Sequence, residues 1–200
     1  MTGQPTSSDG TVSRGSNSSV AASAGLGVLA AVLGYLVTYL LIVDEVREAF
    51  GDGVAEWKGV AWYFYNAHLV DIEASGAIGG IGGSSTVDFI AESGATSADL
   101  LYLIPPIVLL GMGALLAVQL NADDLGEAVV VGAPVTIGYA VVMGLGALVA
   151  ESSAEGAFFG IEASGSMAPE LLPAIVLGGV LYPLAFATGG AILAVVFASR

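Results

Sequence analysis

The chain of 200 residues has no cysteine, a single histidine and four basic residues, and charged side chains make up only 11% of it. Without cysteine there is no disulfide framework, zinc ribbon, iron–sulfur site or thiol nucleophile. The lone His68 lacks the neighbouring ligands that a zinc site needs, so a hydrogen-bonded structural role or an interfacial anchor is the expectation for it. Four bases against 18 acids give a net charge of −14. That balance excludes a generic nucleic-acid binder, because phosphate contacts need clustered Lys and Arg. The glycine-rich run from Gly76 to Gly83 is not followed by Lys and then Ser or Thr, so it is no phosphate loop; it reads as a flexible turn. No cofactor and no metal is expected.

What the chain has is long apolar blocks. Val20–Val43, Leu100–Leu120, Ala128–Ala150 and Leu171–Ala198 contain no charged residue. About 20 apolar residues cover the roughly 30 Å of a bilayer core as a helix. An unpaired backbone amide there costs several kcal/mol, so each block is expected to be helical. The fold class expected is an all-α integral membrane protein with four transmembrane helices arranged as two pseudo-repeated hairpins, plus an interfacial amphipathic helix in the first exterior loop. Residues 1–19 read as a disordered polar tail, 20–200 as the transmembrane domain, and 44–99 as the long exterior loop. The short connection Asn121–Glu127 predicts a tight antiparallel pair of the second and third spans. An even number of spans puts both termini on one side. Fourteen of the acids then fall in the two long loops, which favours N-in and C-in in the cell membrane, although Lys and Arg divide evenly and acids are weak topology signals. The single lysine among so many acids points to high salt, where a Debye length of about 3 Å lets like charges sit close.

Two strings recur in order. Ile72–Gly76 (IEASG) reappears as Ile161–Gly165, and Leu103–Gly111 is echoed by Leu171–Gly179. A later Gly113–Val118 resembles Gly190–Val195 at a different spacing. These matches predict two parallel copies of a helix–loop–helix hairpin, related by an axis along the membrane normal. Chance in an alphabet of Ala, Gly, Leu, Ile and Val is the alternative. Glu73 and Glu162 are equivalent in this scheme. They would face one another across the axis and bind a cation, or simply mark helix termini or turns facing solvent. Pro105, Pro106 and Pro173 lie near helix starts, where they serve helix entry or a kink; carbonyls freed by a broken helix would be ligand groups.

Residues 54–72 are the most distinctive segment. At 100° per residue Val54, Trp57, Ala61, Phe64, Tyr65, His68, Leu69 and Ile72 share one stripe, and Trp62 and Tyr63 widen it. Trp57 and its aromatic neighbours suit the headgroup layer, so the segment predicts a helix lying on the bundle or in the outer leaflet surface. Thr86–Ala91 reads as a short strand or a buried extended piece.

Through Glu56–Val70 (EWKGVAWYFYNAHLV) and its pattern of spans the chain resembles a loosely defined set of haloarchaeal multi-span membrane proteins, some of which carry a generic transporter label. The resemblance implies no site residues. With no charge in any span and no nucleophile beside a base, an enzyme is not expected. A scaffold or accessory subunit leads, with the bilayer and a second copy or another membrane protein as partners. A small transporter or channel with proline-kinked second and fourth helices is the alternative.

Overall fold

The computed structural model describes residues 12–93, 96–158 and 161–199, with side chains from Val20 onward. Four stretches are long and apolar enough to cross a membrane: Val20–Gly53, Leu100–Gln119, Leu125–Val149 and Leu171–Ala198. The four blocks expected from hydropathy are therefore helical, but their ends differ. Helix α1 runs Val12–Phe50, so eight residues assigned to the tail, Val12–Ser19, are helical and only residues 1–11 lie outside the described part. It also continues past Val43 through Asp44, Glu45 and Arg47. Charged residues at a helix end are tolerated wherever their heads reach water.

After α1 come a 3₁₀ turn at Gly51–Gly53 and helix α2 (Glu56–Asn66). Strands β1 (Ile72–Ile78) and β2 (Ile81–Val87) follow, then short helices α3 (Phe89–Ser93) and α4 (Thr96–Asp99). The second span is a 3₁₀ turn, Leu100–Leu103, leading into α5 (Ile104–Gln119). The third is broken into α6 (Leu125–Gly132) and α7 (Val135–Val149). At the break Thr136 and Ile137 donate to the carbonyls three residues back, and Pro134 has no N–H to continue the helical ladder to Val130. Strands β3 (Ser152–Phe158) and β4 (Ile161–Pro169) precede the last span, which comprises the single turn α8 (Leu171–Pro173), a π-helical stretch Ala174–Leu181 and α9 (Tyr182–Ala198). The widened π turns stop just before Tyr182–Pro183. A proline ring there would otherwise meet the carbonyl four residues back, so the irregularity sits where the sequence demands one.

The expectation of an all-α chain is corrected by a four-stranded antiparallel sheet in the order β2-β1-β4-β3. Two sequence readings are met only in part. The glycine-rich run is two strands joined by a tight turn at Gly79 and Gly80, both with positive φ. Thr86 and Val87 are strand, but Phe89 onward is helix, capped by Asp88, whose carboxylate accepts from the Ile90 and Ala91 amides. The two IEASG strings lie side by side on β1 and β4, with Gly76 opposite its counterpart Gly165. The hairpin partner follows IEASG in the first case and precedes it in the second, so the surrounding strands do not correspond in chain order.

The fourth span packs along both the second and the third, and the first packs on the third; the short Asn121–Glu127 connection does not make α5 and α6 principal partners. Two of these contacts, first on third and second on fourth, each have a close approach at two glycines. A Cβ on Gly27 would lie 2.0 Å from the Val135 carbonyl oxygen, and one on Gly138 1.9 Å from that of Ala24. Gly113 and Gly190, the leading glycines of the Gly113–Val118 and Gly190–Val195 echo, do the same between α5 and α9, at 1.8 Å from the Ala187 and 2.0 Å from the Leu110 carbonyl oxygen. Backbone contact this close supplies the dispersion attraction that holds helices together where burial from water gives little.

Replacing Gly113 or Gly190 by Ala should therefore force α5 and α9 apart, at a cost of roughly 1–3 kcal/mol or more. Gly111, one turn-face away, has nothing within 4 Å of a built Cβ. Thermal melting in detergent should show Gly113→Ala well below wild type and Gly111→Ala at or above it.

Candidate functional site

The helix expected at the surface is instead inside the bundle. Every residue of α2 from Gly59 to Asn66 is buried, and Trp62, Ala67 and His68 have no exposed area. The physical reason was present in the two residues that spoiled the stripe. With Trp62 and Tyr63 added, the stretch from Gly59 to Tyr65 is apolar on all sides, and such a stretch belongs in a core. Small residues make the space: a Cβ on Gly59 would lie 2.5 Å from the Val46 side chain on α1, and one on Gly146 2.6 Å from the Tyr65 hydroxyl.

The insertion carries polar atoms inward, and each of the main ones finds a backbone partner. The Trp62 indole N–H donates to the Ala150 carbonyl at 3.0 Å, just past the last turn of α7, where helix carbonyls lack an amide partner. Deeper in, the Tyr65 hydroxyl donates to the Met143 carbonyl at 2.6 Å. Deepest is His68. Its Nδ1 lies 2.7 Å from the Phe64 carbonyl oxygen, and its Nε2 lies 2.7 Å from the Tyr139 hydroxyl. A carbonyl only accepts, so Nδ1 carries the proton; in the neutral ring Nε2 then accepts from Tyr139. The ring also rests against Phe64 and Tyr182, with centroids 4.6 and 5.1 Å away. Tyr139 is ten residues from the end of α7, which at 1.5 Å per residue puts His68 about 15 Å below the sheet end of the bundle. The spans hold no ionisable residue of the Asp, Glu, Lys, Arg or His kind near their middles, yet the fold delivers one there from a loop.

The chain then reverses. Leu69 adopts φ +58°, the left-handed conformation usual for glycine at a helix C-terminus, and the Val70 amide donates to the Tyr65 carbonyl at 3.1 Å. Asn66 ties the return path together: its amide nitrogen donates to the Val70 and Val87 carbonyls, and its oxygen accepts from the Phe89 amide. Neither Asn66 nor Tyr139 stands out in the sequence pattern as part of such a site.

At the upper end, Glu56 accepts from Arg47 at 2.6 Å and from the Tyr39 hydroxyl. The guanidinium first, and then the phenol, hold the Glu56 carboxyl below the usual carboxylate range. Trp57 is 43% exposed, its carbonyl accepts from Tyr35, and the ammonium of Lys58 lies 5.5 Å from its ring centre.

The other candidate residues do not join this site. Glu73 and Glu162 share one face of the sheet but not a position. Glu73 is paired with Ala168, six residues along β4 from Glu162, so about 20 Å separates them and the facing pair is corrected. Among the described residues no three metal-ligating side chains cluster. Pro105 and Pro106 occupy the first turn of α5, where a missing N–H breaks no helical bond, and Pro173 ends the single turn α8. Of the polar groups in the spans, Thr38 bonds its own preceding turn at Gly34, whereas the hydroxyls of Ser23, Thr136 and Thr188 are buried without a hydrogen-bond partner.

A model of the DUF7978 family, a family of unknown function, matches residues 1–198, so the protein is a member of that family. No curated protein and no solved structure matches it.

Two outcomes follow from the site. His68→Leu removes both ring partners and strands the Phe64 carbonyl and the Tyr139 hydroxyl, which should cost about 2–4 kcal/mol. Tyr139→Phe should cost less, and the two changes should be non-additive in a double-mutant cycle read by thermal melting. For Glu56, the folded-state shift is downward. Its stabilising contribution is therefore present above about pH 4.5 and disappears as pH falls through the folded value. Melting midpoints measured from pH 7 to 3 should drop more steeply in wild type than in Glu56→Gln.

Proposed function

We propose that the chain is a multi-span membrane protein of the cell envelope whose role is that of a scaffold or accessory subunit, with the sheet on the exterior side and both termini inside. The observation that carries this reading is the filling of the bundle by α2. Its aromatic rings occupy the space between α1 and α7, and their polar tips are closed off by α7 carbonyls and Tyr139. A bundle packed in this way suits holding partners rather than passing solutes. The sheet offers such partners a face of Ser75, Ser84, Ser166, Thr86 and Glu155, and a lipid-exposed or protein-covered exterior of Leu, Ile and Val. We assign it no catalytic step. The acidic balance supports a high-salt habitat and membership of the haloarchaeal set it resembles.

Transport is the second reading, and one observation favours it: an ionisable ring and a phenol, His68 and Tyr139, stand in contact at mid-depth. Purification from native membranes in molar salt, with mass spectrometry of what accompanies the chain, separates the two. A stoichiometric partner with no ion or proton flux in proteoliposomes supports the scaffold. Flux abolished by His68→Gln overturns it. The same preparations should melt at least several degrees higher in molar KCl than in 0.1 M, because screening relieves repulsion among 18 acids.

A further inference from the structure

We propose that a crevice between α1, α2 and α7 is a binding site for one membrane lipid, with a hydrocarbon chain in the crevice and an anionic phosphate headgroup at Lys58. The site rests on the membrane reading above. The crevice holds about 240 Å³ and is lined by Ala31, Tyr35, Ala61, Phe64, Val142 and Met143, with Val32, Trp57 and Val149 at its rim. Val32, Trp57 and Val149 are 42%, 43% and 59% exposed, so the slot opens sideways on the apolar flank and not into the bundle. It exists because α1 and α7 approach most closely at Gly27 and Gly138, and the part of α2 that packs between them beyond that crossing leaves a slot on the flank.

Its dimensions select the occupant. From Val142 to Val149 the slot rises about 10 Å along α7. Its volume falls below the roughly 300–1,000 Å³ of sites for compact drug-sized molecules. A narrow, nearly all-apolar slot facing hydrocarbon takes a chain. What distinguishes it from the rest of the apolar flank is its mouth. Lys58, the sole lysine of the sequence, sits there beside the Trp57 ring. One of its three N–H groups is used on the Glu151 carbonyl, which leaves donors for a phosphate. Arg47, by contrast, is held by Asp44 and Glu56. In a chain of net charge −14 a cation at the level of a Trp and the Tyr35 hydroxyl is a headgroup contact of matched charge.

The test uses the full chain purified in detergent and stripped of lipid, then incubated with phosphatidylglycerol, phosphatidylcholine or a diacylglycerol of the same chains, with retained lipid counted by native mass spectrometry. Wild type is expected to retain one phosphatidylglycerol per chain in preference to the other two. Lys58→Gln should weaken phosphatidylglycerol about fivefold and leave diacylglycerol unchanged. Val142→Phe, which fills the slot, should abolish retention of all three; Val149→Phe at the rim serves if the first variant does not melt cooperatively in lipid-free detergent. Retention unaltered in a folded slot-filling variant, or equal retention of all three lipids by wild type, overturns the site. Membrane preparations washed with alkaline carbonate keep the two ideas apart. A chain that stays in the membrane yet retains no lipid defeats the site alone, and a chain released by the wash defeats the membrane reading on which it rests.

Discussion

The polar atoms that Trp62, Tyr65, Asn66 and His68 carry into the apolar bundle all find partners there, and this pairing organises the middle of the molecule. Helix α2 brings an indole, a phenol, an imidazole and an amide into surroundings with little else polar. Leaving one such group unpaired costs about 1–3 kcal/mol, comparable with the whole gain from burying a large aromatic side chain. The position of α2 is therefore set by donors and acceptors as much as by shape. Trp62 meets the carbonyl of Ala150, Tyr65 that of Met143, and His68 the Phe64 carbonyl and the Tyr139 hydroxyl. A slip of one residue along α7 would break the Trp62, Tyr65 and Tyr139 bonds together, while the His68–Phe64 bond is internal to the inserted segment.

The insertion depends in turn on how the long helices cross. Reciprocal glycine contacts draw α1 to α7 and α5 to α9; α5 and α9 pack along much of their length, whereas α1 and α7 leave room above Gly27 and Gly138. That room is the space that α2 enters. The sheet then closes the return path: β1 leaves the core at the buried Ile72, pairs with β4, and places Asn66 where it can bond both Val70 and Val87. Crossing, insertion and sheet are thus one assembly, in which the close approach at four glycines comes first.

Legibility varied with the range of the physics. Hydrophobic runs report on a helix one residue at a time, so the four apolar helices could be read off directly, including the entry role of Pro105 and Pro106. The Thr38 bond to its own turn is equally local. The sheet was missed because IEASG and its glycine-rich neighbour have weak strand propensity and alternation. Their pairing comes from β1 meeting β4, 89 residues apart in the repeat, and not from either string alone. Glu73 and Glu162 were read as facing because equivalent positions were assumed to meet. In an antiparallel pair only the residues on the local axis do so, and that axis passes by Gly76 and Gly165.

By itself, the sequence determined where the chain forms long apolar helices, that the segments between them carry most of the acids, and that thiol chemistry has no residue to work with. Only the tertiary structure decided that the aromatic segment after α1 goes inward, that the lone histidine stands beside Tyr139 at mid-depth, and that two distant copies of one short string share a sheet. The division has one cause. Length and hydropathy act through the solvent around each residue, whereas depth, partner and register are fixed by contacts between residues far apart in the chain, and no local pattern carries them.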